Sequence, residues 1–182
     1  MQIAYLTDYP QHIPTLATWH HAQWGHLNPG DTEQARVERL RQHTGRPGLP
    51  TTLIAVEGDA LLGSASIVEN DLTTHPQLNP FLASVYVAPA YRGQGIASAV
   101  VSRMIEEARQ LGAAQLYLIT PDQQRLYARL GWSPLEQVYY RGEWVTLMRV
   151  ICTTAKNGLK LVTRLMALLL RAGRVSKRLI CS

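Results

Sequence analysis

Apolar residues in the first third of the chain follow two spacings, one typical of strands and one typical of helices. Asp31 and Thr32 precede the second helical stretch, and their side-chain oxygens suit an N-cap. A Glu-Gly-Asp-Ala turn joins two β-rich runs and favours a hairpin. The predicted elements are a strand at 3–6, helices at 12–24 and 32–43, and strands at 52–56 and 61–68.

The following part of the chain alternates strand and helix patterns. A polar stretch with two prolines, residues 69–80, predicts a loop. Apolar residues recur at helical spacing from Ile96 to Leu111, where Gly112 ends the helix. The other predicted elements are strands at 81–87 and 116–119, a short helix at 122–130, and a hairpin of strands 138–140 and 145–148.

This order predicts an α/β (α+β) fold. The strand–helix–strand unit at 82–119 needs a crossover connection, so its two strands should be parallel, whereas the hairpins should be antiparallel. A mixed, twisted sheet of about seven strands with about four flanking helices follows.

Charge divides the chain near Cys152. Residues 1–152 carry eleven arginines and all thirteen acidic residues, and the last thirty residues carry seven basic residues. A change in composition of this kind marks a boundary. We therefore expect one domain at 1–152 and a basic C-terminal extension at 153–182.

The extension has the pattern of a basic amphipathic helix. Lys160, Arg164 and Arg171 fall on one stripe, opposite Leu161 and Leu165. Such a helix suits an anionic membrane surface or a protein partner. Packing against its own domain, or no role, is the alternative, and we do not expect a nucleic-acid partner.

Cysteine usage and hydropathy predict a cytoplasmic protein. Cys152 and Cys181 match no disulfide framework and no metal-ligand spacing. The first residues lack the features of a signal peptide, and no apolar segment is long enough to cross a bilayer. We expect no bound metal.

A glycine-containing turn connects the strand at 81–87 to the helix that begins at Ile96. Gly93 and Gly95 flank Gln94 and let the backbone approach a ligand with its N–H groups exposed. The positive end of the following helix points to the same place. The pattern predicts a concave site that fits a pyrophosphate.

Two separated motifs resemble the GNAT superfamily of acetyl-CoA-dependent N-acetyltransferases. Arg92-Gly93-Gln94-Gly95-Ile96-Ala97 is similar to the phosphate loop of that family, and the segment 126–132, Leu-Tyr-Ala-Arg-Leu-Gly-Trp, is similar to its aromatic-Leu-Gly signature. The resemblance covers roughly residues 3–150. It implies the splayed sheet of the family and acetyl-CoA as cosubstrate, with an amine as acceptor.

The resemblance also assigns positions that bind acetyl-CoA. The loop amides would hold the pyrophosphate, and the strand before it would pair with pantetheine where the sheet splays. The amide of Val87 would hold the thioester oxygen. The implied cofactor-binding residues are Val85, Tyr86, Val87, Arg92, Gly93, Gln94, Gly95, Ile96 and Ala97.

Tyr127 is the implied general acid for the departing thiolate. A phenol, with a reference pKa near 10, stays protonated at neutral pH, where a thiol with a pKa of about 8.5 needs a proton. The alternative is an ordinary core aromatic on an amphipathic helix. Arg92, likewise, is either a brace or phosphate ligand, or a solvated surface residue.

The general base is not identified by the sequence, since the strand at 81–87 and the residues just before it carry no carboxylate. Glu69, Asp71 or His75 could act through a water molecule ordered by Ser84. His20, His21, Trp24 and His26 could border the acceptor pocket, although a purely structural role is the simpler interpretation.

Two functions follow as hypotheses. The first is acetyl transfer to a primary amine of a small molecule or a peptide. The second is a non-catalytic acyl-CoA-binding or interaction module on the same fold, which the absence of a strand carboxylate favours and the presence of Tyr127 opposes.

Overall fold

The computed structural model describes residues 1–152, so the predicted basic helix lies outside the described residues. The strands are β1 (Gln2–Tyr5), β2 (Thr51–Glu57), β3 (Ala60–Val68), β4 (Phe81–Val87), β5 (Gln115–Thr120), β6 (Ser133–Tyr140) and β7 (Glu143–Ile151). The α-helices are α1 (Ile13–Trp24), α2 (Glu33–Arg41), α3 (Ile96–Gln110) and α4 (Gln124–Arg129). Within these residues, no helix is both long and apolar enough to span a membrane.

All seven strands form one mixed sheet in the order β1-β2-β3-β4-β5-β7-β6. The neighbours β4 and β5 are parallel, because α3 crosses over between them, and the other neighbouring pairs are antiparallel. The prediction of a mixed sheet of about seven strands with about four helices is confirmed for the described residues.

The sheet opens between β4 and β5. Phe81 and Tyr117 form the one register pair described between these strands, and the amide of Tyr117 donates to Pro80 O at 3.0 Å. Beyond this pair the two strands separate toward the end of β4. The splayed sheet implied by the resemblance is confirmed, and a wedge-shaped gap remains in the middle of the sheet.

Helices cover both faces of the sheet. Leu53 and Ala55 on β2 belong to a core cluster with α3, whereas the intervening Ile54 and the following Val56 belong to a cluster with α1 and α2. Alternate residues of a strand point to opposite faces, so this strand is buried on both sides. Each fully buried aliphatic side chain of this kind contributes about 1.5–3 kcal/mol to stability.

Local sequence explains where the helices begin. Thr32 caps α2 by accepting a hydrogen bond from the amide of Ala35 at 3.1 Å, as the N-cap prediction required. Gly95, with φ +78°, is the N-cap of α3. That left-handed conformation is rare for any residue with a side chain.

One buried charge on α3 escaped the sequence reasoning. Glu107 is 0% exposed. It accepts hydrogen bonds from the Tyr5 hydroxyl at 2.7 Å and from Arg103 Nη1 at 2.8 Å. These partners satisfy a carboxylate that burial would otherwise penalise, and they tie the first strand to α3.

The final hairpin is longer than predicted. β6 begins at Ser133 rather than at residue 138, and β7 continues to Ile151. β6 is the edge strand of the sheet and most of its side chains are exposed. An exposed edge strand needs no alternation of apolar residues, so the periodicity that predicts a strand is missing there.

Candidate active site

The turn between β4 and α3 is a shallow cradle of exposed backbone. Gly93 and Gly95 adopt φ of +77° and +78°. A Cβ built at either glycine would meet no atom within 4 Å, so the space beside them is open. The first amides of α3, which lack helical acceptors, follow directly and carry the positive end of the helix dipole. The turn is therefore open and carries backbone amides, and the pyrophosphate predicted from the sequence stays a prediction.

Arg92 braces this turn. Its Nε donates to Val87 O at 3.0 Å, and its guanidinium lies 5.8 Å from the centre of the Tyr86 ring. The side chain is exposed, so its remaining nitrogens stay accessible. Arg92 therefore fixes the turn against the end of β4 while keeping donors free for an anion.

The end of β4 presents backbone groups to the gap. The amide of Ala88 donates to Leu62 O on β3 at 2.9 Å. Because hydrogen-bonded and non-hydrogen-bonded pairs alternate in an antiparallel ladder, the neighbouring Val87 turns its N–H and C=O away from β3. The Val87 carbonyl accepts from Arg92 on that side, and its amide is left for a ligand.

A β-bulge re-aims the middle of β4. The register between β3 and β4 shifts between Ser64 and Ser66, and Ser84 in the bulge has φ +53°. Ser64 Oγ donates to Ser84 O at 3.4 Å. Bulges change the direction of side chains and backbone groups beside functional sites, and this one turns Ser84 into the cleft wall.

One cleft of about 1120 Å³ contains these features. Val85, Tyr86 and Val87 line it together with Arg92 and the two glycines of the turn, and so do Ile96, Ala97 and Tyr127. Gln94 is exposed and is not part of the lining. All but one of the predicted site residues therefore share one cavity.

Tyr127 belongs to both the core and the cleft. The side chain is 7% exposed and packs edge-on against Trp132, with 5.9 Å between ring centres. Burial, with a smaller contribution from the negative charge of Asp122, raises the pKa of Tyr127 to about 12. The phenol is therefore protonated at every pH near neutrality.

One buried and one half-buried histidine line the other half of the cleft. His20 Nε2 is 3.1 Å from Ser64 Oγ, and His43 Nδ1 is 2.7 Å from Thr52 Oγ1. Burial lowers the pKa of His20 to about 3, aided by the charge of Arg36 and by His43. Burial likewise lowers the pKa of His43 to about 4. Both imidazoles are neutral at physiological pH.

Among the predicted bases, Asp71 lines the cleft, whereas Glu69 and His75 do not; Ser84, predicted to order a water, also lines it. Burial raises the pKa of Asp71 to about 6, although the charge of Arg141 opposes that rise. His75 instead pairs with Glu136, with 3.1 Å between Nε2 and Oε1. Asp71 is thus the predicted base that reaches the cleft, which Asp122 and Glu143 also line.

The acceptor side of the cleft contains residues that sequence reasoning missed. His20 and Trp24 line it as expected, but His21 and His26 do not. The unpredicted polar and charged lining residues include Arg36, Arg39, His43, Asn70, Arg141 and Glu143. They come from α2 and the segment after it, from the loop before β4, and from the turn before β7 and the first residue of β7, which only the folded sheet brings together. Residues 1–152 contain no cluster of three metal-ligating side chains.

Comparison with known families matches this geometry. The sequence profile of the acetyltransferase (GNAT) family matches residues 13–132, a span that includes both motifs. The chain belongs to the acetyltransferase (GNAT) family. Membership confirms the resemblance drawn from the two motifs.

Solved structures share the GNAT fold at low identity. A putative acetyltransferase from Salmonella typhimurium, solved with its cofactor acetyl-CoA, has a TM-score of 0.65 at 20% identity; the match covers 85% of this chain and 95% of that one. A ribosomal-protein-alanine N-acetyltransferase from Brucella melitensis has a TM-score of 0.66 at 19% identity, covering 83% and 99%.

One curated relative matches locally. The thialysine N-epsilon-acetyltransferase of Bos taurus is 38% identical over 63 residues, which is 32% of this chain. The match spans 37% of that relative, so the chain covers little more than a third of its length.

Proposed function

We propose that the chain transfers an acetyl group from acetyl-CoA to a primary amine. The observation that carries the proposal is the shared cleft, in which the open amides of the glycine turn, the free edge of β4 and the Tyr127 side chain lie together. A solved neighbour was crystallised with acetyl-CoA, which supports the same cosubstrate here.

The turn and β4 hold acetyl-CoA in this proposal. The amides of residues 94–97 and the free nitrogens of Arg92 bind the pyrophosphate, since a helix N-terminus and a guanidinium both favour an anion. Backbone groups of Val85 and Val87 pair with the pantetheine amides in the gap between β4 and β5. The amide of Val87 then polarises the thioester oxygen as it becomes negative.

Tyr127 supplies the proton for the leaving group. The neutral amine attacks the thioester carbon, the carbon–sulfur bond breaks, and the sulfur takes the phenolic proton as it departs. A pKa of about 12 keeps that proton in place before the reaction. The thiol formed has a pKa of about 8.5, and the proton that the amine releases passes through water to the Tyr127 phenolate, which restores the phenol.

Asp71 acts as the base that takes a proton from the acceptor, through a water held by Ser84. A carboxyl with a pKa of about 6 is mostly ionised at neutral pH and is still a better base than an ordinary carboxylate. This position replaces the strand carboxylate that β4 lacks.

Calorimetry with acetyl-CoA, followed by thiol-release assays with amines, tests the proposal. Thialysine, an alanine-terminated peptide and an aminoglycoside form a first acceptor panel, because structural or sequence relatives are named for such acceptors. Binding with acceptor-dependent thiol release supports the enzyme. Binding without release on a broad amine panel supports the alternative, a non-catalytic acyl-CoA-binding module, and absence of binding overturns both.

The proposal also places the protein in the cytoplasm, where its cysteines stay reduced. Cys152 is buried, and burial raises the pKa of its thiol, which makes it a poor nucleophile for an acyl-enzyme. A membrane or protein partner for residues 153–182 remains a proposal from the sequence pattern.

A further inference from the structure

Arginine side chains are concentrated in the acceptor half of the cleft. Arg36 and Arg39 come from α2, and Arg141 comes from the turn between β6 and β7. The two elements approach the cleft from different directions, yet all three side chains line it.

Arg36 is a nearly buried cation with spare hydrogen-bond donors. Its side chain is 10% exposed and its Nε lies 2.5 Å from Asp31 Oδ2. The Nη atoms make no hydrogen bond within residues 1–152, and they are not among the buried side-chain atoms that lack a partner, so they face the open cleft. A guanidinium carries five N–H donors, so these donors are available to an anion in the cleft.

Asp31 does not neutralise this region. Its other oxygen lies 2.5 Å from Arg39 Nη2, so one carboxylate serves two guanidinium groups. Burial acts to raise the pKa of Asp31, but the hydrogen bond from Arg39 and the charge of Arg36 lower it overall. The cluster of one ionised carboxylate and two arginines keeps a net positive charge.

Arg141 adds a second positive charge from the other wall. It has no ion-pair partner among the described residues, and its guanidinium lies 4.8 Å from the centre of the Tyr140 ring. Burial is the main cause that lowers the pKa of Arg36, and the charge of Arg141 acts in the same direction across the cleft. Arg141 also acts on Asp71, so its positive charge is felt both at the proposed base and at Arg36.

We infer that Arg36 and Arg141 form an anion-binding subsite, and that the acceptor is an amine with a carboxylate near its amino group. The inference deepens the proposed function and rests on it. A guanidinium fork matches the two oxygens of a carboxylate. With the carboxylate on the arginines, the amino group lies toward Asp71 and Ser84. A polycationic acceptor meets repulsion from the same arginines.

Matched acceptor pairs test the subsite. A peptide that begins with Asp is compared with the same peptide beginning with Asn, and a free amino acid with its amide. We expect kcat/KM to be about tenfold or more higher for the charged member of at least one pair, because a hydrogen bond to a charged group contributes about 1.5–3 kcal/mol. The pair that responds tells whether the carboxylate belongs to a peptide or to a small molecule.

The Arg141→Asn variant tests the positive charge of Arg141 without a large effect on folding. Arg141 has φ +50°, which Asn tolerates well, and the residue is exposed, so the fold should survive. We expect the preference for the charged acceptor to fall about tenfold through KM, with the KM for acetyl-CoA unchanged. Arg36→Gln should have the same effect, with its folding checked by thermal melting. Arg149→Gln, at an exposed arginine outside the cleft lining, is the matched control.

Three results overturn the inference. The first is an active enzyme that prefers the uncharged member of every pair. The second is an active enzyme that prefers spermidine to all carboxylated amines. The third is an Arg141→Asn variant whose kcat/KM falls equally for both members of a pair. In each case the proposed acetyl transfer still stands. Failure to acetylate any amine removes the proposed function and the subsite together.

Discussion

Tyr127 is both a core residue and a residue of the cleft wall. Its ring packs against Trp132 in the core, while the side chain also reaches the cleft wall. The two interpretations that the sequence left open are therefore compatible. Packing fixes the ring, and no residue within 1–152 engages its hydroxyl, which the proposed mechanism uses as the proton donor.

Tyr127→Phe should lower kcat about 100-fold while leaving the acetyl-CoA affinity nearly unchanged, because general acid catalysis contributes roughly 10²–10⁴-fold and the ring remains. Thiol-release assays measure kcat, and calorimetry measures the affinity for acetyl-CoA. Tyr117→Phe is the control, since the Tyr117 hydroxyl donates to Gln115 at 3.2 Å and lies outside the cleft lining. Equal kcat for all three proteins would remove Tyr127 from the mechanism.

Asp71→Asn should abolish the rise of kcat/KM with pH near pH 6. Asp71 has a pKa raised to about 6, so the base becomes active as pH increases through that value. A pH–rate profile from pH 5 to 9 reports the loss, and Glu69→Gln, just outside the cleft, serves as the control. If the acid limb of the pH–rate profile is the same in the Asn variant, Asp71 is not the base.

The same substitution should stabilise the fold. The pKa of Asp71 in the folded state, about 6, lies above its ordinary value of 3.8. Protonated Asp71 therefore favours folding below pH 4, and this contribution is lost as pH rises to 6. At pH 7.5, Asp71→Asn should raise the free energy of unfolding by roughly 1–2 kcal/mol, measured by urea denaturation. The gain should vanish at pH 3.5.

Individual cleft residues were predictable to different degrees. Tyr127 and the glycine turn follow from local motifs. Arg36, His43 and Arg141 carry no local signal, because each becomes part of the cleft only when α2 and the β6–β7 turn are folded onto the sheet. Sequence spacing holds no information about such long-range neighbours.

Among the elements, those with strong periodicity were predicted almost to the residue. α3 presents a buried stripe that includes Val100, Met104 and Ala108, and its predicted start and end hold within a residue or two. β6 lacks such a stripe because it is an exposed edge. The gap between β4 and β5 has no signature of its own in the residues of either strand, and only the family resemblance anticipated it.

Gly63 on β3 controls the position of β4. A Cβ at Gly63 would lie 2.5 Å from Tyr86 O and 3.3 Å from Val87 Cα. Both atoms are backbone, so β4 itself must shift. Gly63→Ala should destabilise the fold by about 1–3 kcal/mol and weaken acetyl-CoA binding at least severalfold, measured by calorimetry on folded protein.

Gly58→Ala is the matched control for that experiment. Gly58 has φ +56° with open space around it, so alanine there strains the turn between β2 and β3 without moving β4. Loss of stability with normal acetyl-CoA affinity is expected. Equal affinity loss in both variants would mean that general destabilisation, rather than the position of β4, weakens binding.

At the scale of the whole molecule, the described domain closes at Cys152. The amide of Cys152 donates to Ala114 O at 2.9 Å, and Arg109 Nε donates to Cys152 O at 2.8 Å. The end of β7 is thus anchored before the basic segment begins, so a chain ending at Cys152 keeps these bonds.

Removal of residues 153–182 should leave acetyl-CoA affinity unchanged and weaken binding to vesicles rich in anionic lipid, because seven basic residues are lost. Calorimetry and vesicle co-sedimentation measure the two effects. Neutral vesicles provide the control. Identical sedimentation of the full and shortened chains would reject a membrane role for the segment.

The gap between β4 and β5 leaves unpaired backbone N–H and C=O groups in the interior of the sheet rather than at its edge. A small molecule that forms hydrogen bonds with these groups becomes part of the sheet while it is bound. The concentration of the ligand is thereby linked to the stability of the fold. A free ligand concentration a hundredfold above the dissociation constant raises the free energy of unfolding by about 2.7 kcal/mol. If acetyl-CoA binds as proposed, cells depleted of it would contain a less stable form of this protein.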